Sequence, residues 1–268
     1  GFARSCGVEV SELGRSDKDG VEKLSYLLKE KGKAASELIP GMLEQSLSQL
    51  PIPKRMRWGS SRSEFVRPVH WLVLLFGDEV IDCEILDVRS GRETWGHRFH
   101  HNEAITIESP QGYEAQLESP GHVIADFDKR KSMVSEQVQE SSRQFDADPI
   151  YDEALLEEVT SLVEFPVALT GNFEPEFLEV PQEALILTMQ KNQKCFCLVA
   201  KDGKLLPKFI TISNLVSKDP HQVVEGNERV IRPRLADARF FFETDKQTSL
   251  ESRQEGLGKL VFQEKLGT

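Results

Sequence analysis

The apolar positions of this chain change period along its length, and the changes predict the elements. The first residues show no period and are punctuated by Gly7, Gly14 and Gly20, which predicts coil, and Val21–Lys31 is mixed. Between Ala34 and Leu50, Leu38, Met42 and Leu47 recur near helical spacing. Pro51-Ile52-Pro53 ends that helix, because proline pushes its predecessor out of helical backbone and cannot donate a helical hydrogen bond. The pattern then turns to sheet. Val69–Phe76 is a nearly unbroken apolar run, expected to be a strand buried on both faces, and Gly77-Asp78 is a turn. Val80–Leu86 alternates, with Ile81, Cys83 and Ile85 on one side and Asp82 and Glu84 on the other, as a half-buried hairpin partner does.

A loop-rich stretch surrounds a short strand at Ala104–Ile107. Two amphipathic helices follow. In Asp126–Phe145 the stripe is Phe127, Val134, Val138 and Phe145; in Asp152–Val163 it is Leu155, Leu156, Val159, Leu162 and Val163, with Asp152 as N-cap. Phe165–Thr170 reads as a strand ended by Gly171, and Pro181 opens a helix over Gln182–Gln190. Cys195–Ala200 and Leu205–Ile212 form a hairpin across Lys201-Asp202-Gly203. From Glu228 onward the tail reads as helix, with Pro233 near its start and Leu235, Phe240 and Phe241 feeding a core. Strands and helices intermix without regular βαβ alternation, so the fold class is α+β, with mixed and antiparallel sheets, packed helices and a helical C-terminal segment.

Composition adds limits. The chain of 268 residues exceeds the usual single domain, and no run of about 18 apolar residues exists to cross a membrane. With no signal-peptide pattern at the start, a cytoplasmic setting is expected. The chain begins without Met and stops after a helix-compatible segment, which suggests a piece of something longer. The four cysteines form no CxxC pair; Cys195 and Cys197, two apart on a strand, would share one face as buried free thiols.

The net charge of −11 argues against a polyanionic partner until its distribution is considered. Eleven acids and no Lys or Arg lie between Gln144 and Gln190; setting them aside leaves 33 acids against 33 bases. Three basic clusters then stand out. Pro51–His70 carries Lys54, Arg55, Arg57, Arg62 and Arg67 against Glu64 alone. Val88–His101 carries Arg89, Arg92 and Arg98 with three histidines against Glu93, and Glu228–Arg239 carries Arg229, Arg232, Arg234 and Arg239 against Glu228 and Asp237. Local fields of this kind attract nucleic acid, and arginine's planar fork suits phosphate. The competing reading is that the arginines pair with the chain's many acids or brace the fold.

No phosphate-cradling GxxxxGK[ST] or GxGxxG occurs, and no GxSxG. The nearest approach to a catalytic cluster is the loop around His97, His100 and His101, where an imidazole could serve as general base, bind metal, or simply hydrogen-bond the loop. No nucleophile or orienting carboxylate stands at fixed spacing to it, so neither catalytic residues nor a metal site are assigned. Trp58 and Trp95 lie beside arginines, which suits base stacking as well as packing.

Longer words of the sequence carry more. Met56-Arg57-Trp58-Gly59, Phe65-Val66-Arg67-Pro68-Val69-His70-Trp71 and Gly96-His97-Arg98-Phe99 occur in that order. Leu162-Val163-Glu164-Phe165-Pro166 and Phe177-Leu178-Glu179-Val180-Pro181 come next, and then the long block from Gly226 to Phe242 that contains Arg232-Pro233-Arg234-Leu235-Ala236-Asp237-Ala238. Together they resemble the beta subunit of bacterial two-subunit glycyl-tRNA synthetase, as an interior piece lacking the family's extreme N-terminus and everything after Thr268. The resemblance implies a module similar to the B3/B4 module of the phenylalanyl enzyme, with residues 1–50 as its N-terminal part, 51–225 as its α+β body and 226–268 as a helical connector to an HD-like domain. It implies that glycine activation with ATP and Mg2+ belongs to a separate alpha subunit, that this piece holds no cofactor, and that an α2β2 heterotetramer charges tRNA(Gly). Lys54, Arg55, Arg57, Arg62, Arg67, Arg98, Arg232 and Arg234 are then the expected tRNA contacts. The alternatives are hydrolytic editing of misacylated tRNA near His97, His100 and His101, and a purely structural module whose acidic stretch faces the alpha subunit.

Overall fold

The computed structural model describes residues 1–257 apart from Asp19 and Glu30, and divides into two compact units, 1–91 and 92–268. Phe262-Gln263 with Leu266-Gly267-Thr268, which read as a continuation of the family-like blocks, lie outside the described residues.

The first unit is assembled from short pieces. Helix α1 (Phe2–Cys6) precedes a hairpin of β1 (Gly14–Lys18) and β2 (Val21–Ser25) in full antiparallel register, where the sequence pattern predicts only coil and a mixed segment. The hairpin's side chains are mostly exposed, so it lacks the alternation that marks a strand in sequence. Helix α2 (Ala35–Gln49) forms as expected, but buries none of its residues. The run Val69–Phe76 is not a buried strand. It breaks into β3 (Leu72–Val73) and β4 (Leu75–Phe76), and Trp71 and Phe76 are exposed. β4 turns at Gly77, whose positive φ suits glycine, into β5 (Glu79–Val80). β6 (Glu84–Ile85) pairs antiparallel with β7 (Val88–Gly91), and β7 pairs parallel with β3. The predicted alternation holds here: Ile81 and Ile85 are buried, Asp82 and Glu84 exposed.

The second unit opens with β8 (Glu93–Trp95) paired to β9 (Ala104–Thr106), followed by α3 (Tyr113–Glu118), α4 (Phe127–Arg143), β10 (Ala147–Ile150) and α5 (Glu153–Leu162). Then come β11 (Val167–Asn172), α6 (Gln182–Gln193), β12 (Phe196–Ala200), β13 (Leu205–Ser213), α7 (Pro220–Lys246) and α8 (Leu250–Leu257). An antiparallel sheet in the order β10-β12-β13-β11 forms its centre.

Strand alternation decides what each face of that sheet meets. Phe196, Leu198 and Ile210 pack with Val134 and Val138 of α4 and Leu155, Leu156 and Val159 of α5. Cys195, Cys197, Leu205 and Phe209 pack on the other side with Leu185 and Met189 of α6 and Ile231 and Leu235 of α7. The two cysteines therefore share one face, as their spacing predicts. Burial pushes the Cys195 thiol up to about 12 and Cys197 higher still, which removes both from thiolate chemistry.

Asp152 caps its helix as the sequence predicts, and Asp126, the first residue of the other expected helix, caps that one. Asp126 Oδ1 accepts from Lys129 N at 2.8 Å, and Asp152 Oδ1 from Leu155 N at 2.8 Å. Each satisfies a backbone N–H that the first turn leaves without a partner. Asp152→Ala is expected to lower stability by about 1 kcal/mol, read as a shift of the urea midpoint at unchanged slope. Asp152→Asn should retain most of it, because its carbonyl can still cap.

Four expectations fail in this unit. Leu162, placed on the apolar stripe of α5, is 63% exposed. Gly171 does not end β11 but lies inside it, opposite Phe209, whose ring fills the space a side chain would need. Pro233 is not near a helix start: α7 begins at Pro220, capped by Asp219, and residue 226 lies within the same unbroken helix. Phe240 and Phe241 feed no core and are 65% and 63% exposed, while Phe242 packs against the α6–α7 side.

Candidate nucleic-acid interface

The first basic cluster forms a closed loop in the first unit. Met56 and Phe65 exchange both backbone hydrogen bonds, at 2.9 and 3.1 Å, forming a bridge that pins the ends of the segment between them. Inside it, Ser61 N donates to Trp58 O, and Gly59 takes the left-handed conformation that such a turn needs. Ser61 Oγ is hydrogen-bonded to Asp87, tying the loop tip to the turn between β6 and β7. No pattern in the sequence marks that link.

The five cations differ in how they are occupied. Arg57 Nε contacts Glu64 Oε1 at 2.7 Å, with both side chains well exposed. Arg55 donates to the carbonyls of Leu47 and Ser48 at the C-terminal end of α2, where a cation is favoured by the helix dipole. Arg67 donates to its neighbour's carbonyl, Val66 O. Lys54 and Arg62 are exposed and have no acidic partner among the described residues. Trp58 is half-buried beside them.

The other clusters are more heavily compensated. The second divides between the units. Arg89 is held by both oxygens of Asp82 at 2.9 Å, which draws the Asp82 carboxyl below its ordinary range, whereas Arg98 is exposed without an acidic partner among the described residues. The third meets the acidic stretch directly. Arg232 pairs with Glu174, Arg239 lies 3.7 Å from Glu176 and 3.6 Å from Glu179, and Arg229 pairs with Glu225 at 2.8 Å. Only Arg234 of that group is exposed with no partner among the described residues. Much of the acidic segment thus neutralises bases of its own unit, including Lys131, Lys194 and Lys201.

The histidine loop is built as a latch. A Cβ on Gly96 would stand 2.7 Å from the carbonyls of Gly121 and His101, so only glycine lets these loop segments approach there. His97, 1% exposed, accepts from the amides of Phe99 and His100 at Nδ1, at 3.2 and 3.4 Å. Its Nε2 lies 2.6 Å from the carbonyl oxygen of Asn214. Two donors on Nδ1 and an acceptor facing Nε2 require the neutral tautomer with its proton on Nε2. Asn214 also accepts from Glu164 N and Phe165 N through its side chain, so it joins three segments. The sequence reading misses Asn214, His122 and Phe165; the last two stack on each other and meet His100 edge-on.

His100 Nε2 accepts from Val216 N at 3.0 Å. Burial, then the neighbouring His97 and His122, lower its pKa below the ordinary 6.5. Protonation would set an N–H against the Val216 amide. The unfolded chain therefore binds more protons below 6.5, so this part of the stability is present above that value and is lost as pH falls through it. The urea midpoint is expected to drop between about pH 7.5 and about pH 5.5, and His100→Gln, which keeps an acceptor but cannot titrate, should flatten that drop. His101 is half-buried. Beside the latch lies an open groove of about 470 Å3 lined by Arg98, Phe99, Leu162, Glu164 and Asn214. Among the described residues, no group of three or more His, Cys, Asp or Glu is arranged to hold a metal ion, and no helix is long and apolar enough to cross a membrane.

The family model for the glycyl-tRNA synthetase beta subunit matches residues 1–268. The chain belongs to this family. It is similar to the glycine–tRNA ligase beta subunit of Hahella chejuensis, 53% identical over 268 residues, covering all of this chain and 39% of the relative. The beta subunits of Pseudomonas entomophila and Stutzerimonas stutzeri are each 53% identical over the same 268 residues and are covered to 38%. The chain thus spans well under half the length of the beta subunits it matches, and the Lys54–Arg67 loop falls within the shared region.

Proposed function

We propose that this chain is the part of a glycine–tRNA ligase beta subunit that contacts tRNA and contributes to subunit architecture. In this reading ATP-dependent attachment of glycine takes place on a partner alpha subunit, which holds ATP and Mg2+, within an α2β2 assembly in the cytoplasm. The observation that carries the reading is the charge of the Lys54–Arg67 loop: Lys54 and Arg62 are exposed without acidic partners among the described residues, beside an Arg57–Glu64 pair that is itself exposed. Exposed ion pairs of that kind are worth less than about 1 kcal/mol, so a phosphate can displace Glu64 from Arg57 at little cost. Arg232 is bound to Glu174 and is a weaker candidate; Arg98 and Arg234 are secondary contacts.

The test is filter binding of tRNA(Gly) to the full subunit assembled with its partner. Lys54→Glu with Arg62→Glu is expected to weaken binding about tenfold or more, since reversal removes two contacts and adds two repulsions. Unchanged affinity would refute the assignment. In the alternative reading of hydrolytic editing near His97, His100 and His101, His97 is the least suited to act as a base, because it is buried and has both ring nitrogens engaged by the backbone.

A further inference from the structure

Helix α7 is apolar on two faces. Its 27 residues extend about 40 Å, and one face buries Ile231 and Leu235, with Phe242 following, against α6 and the sheet. The opposite face presents Val230, Pro233, Phe240 and Phe241. Val230 is 49% exposed, and the two phenylalanines, in edge contact at 5.6 Å, are each nearly two-thirds exposed. Pro233 is exposed as well. Asp237 lies within this stripe, one turn from Pro233 and from Phe241, and Arg234 lies at its edge; both are exposed and without ion-pair partners among the described residues. A helix with apolar residues on both faces is normally enclosed on both, and exposed aromatics beside unmatched charges mark an interaction surface.

We infer that the Val230–Phe241 face of α7 docks onto a part of the same beta-subunit polypeptide that lies outside this chain. The chain covers only 38–39% of its relatives, so most of their polypeptide is available as the occupant. Area decides between that occupant and a separate molecule. Two phenylalanines and a valine exposed to this degree offer on the order of 300–400 Å2, well short of the roughly 800 Å2 per partner that a stable association of free molecules buries. A tethered segment loses little translational freedom on docking, so a small patch suffices for it. The occupant is expected to be an apolar surface with a cation placed to meet Asp237.

Hydroxyl-radical footprinting of the full-length wild-type subunit, purified alone, tests this. Phe240 and Phe241 are expected to oxidise several-fold more slowly in the folded subunit than in urea, equally at low and high protein concentration. In a second measurement, Phe240→Ser with Phe241→Ser, which removes nothing from this unit's core, should restore labelling of the residues that cover the patch. Oxidation at the urea rate in the isolated subunit would overturn the inference. So would protection that appears only at high concentration, only with the alpha subunit, or only with tRNA, each of which assigns the patch to another occupant. Because the experiment reads no tRNA affinity, its failure leaves the proposed tRNA contact standing.

Discussion

Phe209→Ala is expected to destabilise the chain by about 3–5 kcal/mol, a large part of the whole stability of a typical domain. Phe209 is fully buried in the central sheet, among Phe173, Phe177, Leu185, Ile231 and Leu235, and its loss leaves a cavity that strand and helix backbones cannot close. Its cross-strand neighbour supplies an internal control. A methyl group added at Gly171 would overlap the Phe209 ring, so Gly171→Ala alone is expected to cost about 1–3 kcal/mol. Once the ring is removed the methyl has room, and the cost of Gly171→Ala in the Phe209→Ala background should fall near zero or change sign. Urea denaturation followed by circular dichroism on the four members of this cycle measures the coupling. Additive effects would show that the ring and the glycine do not share that space.

The same pair shows which features the sequence displays and which it hides. Period and capping chemistry are local, so α4, α5, β12 and β13 can be read directly: Asp126 and Asp152 begin their helices, and the Cys195–Leu198 alternation separates the two faces of the sheet. Gly171 reads as a terminator because glycine usually punctuates, whereas the reason for it here is a ring contributed by a residue 38 positions later. Pro233 reads as a helix start for a similar reason. The helix instead tolerates the loss of one hydrogen bond, since twelve residues from Pro220 to Ile231 already support it and the proline faces outward. Trp71 and Phe76, like Phe240 and Phe241, stand in runs with the composition of core but are exposed, because apolar composition alone does not say what a side chain packs against.

The candidate interface divides in the same way. The basic clusters are visible in composition, but their compensation is not. Arg232 and Glu174 lie 58 positions apart, and the latch from His97 to Asn214 spans 117, distances at which sequence carries no spacing rule. Family membership follows from ordered blocks, whereas the choice among clusters requires knowing which cations are already neutralised. That knowledge shifts weight from the arginine-rich block of α7, where Glu174, Glu176 and Glu179 gather, to the Lys54–Arg67 loop of the first unit.

The most direct test of that conclusion is the salt dependence of tRNA(Gly) affinity for the assembled enzyme, compared between wild type, Lys54→Gln with Arg62→Gln, and Arg232→Gln. Each phosphate contact releases bound counterions, so the double variant should lower the log–log slope by about 2 and weaken binding most at low salt. Arg232→Gln, whose cation is already matched by Glu174, should leave the slope close to that of wild type. A double variant with the wild-type slope and affinity across the series would contradict the assignment of tRNA contact to this loop.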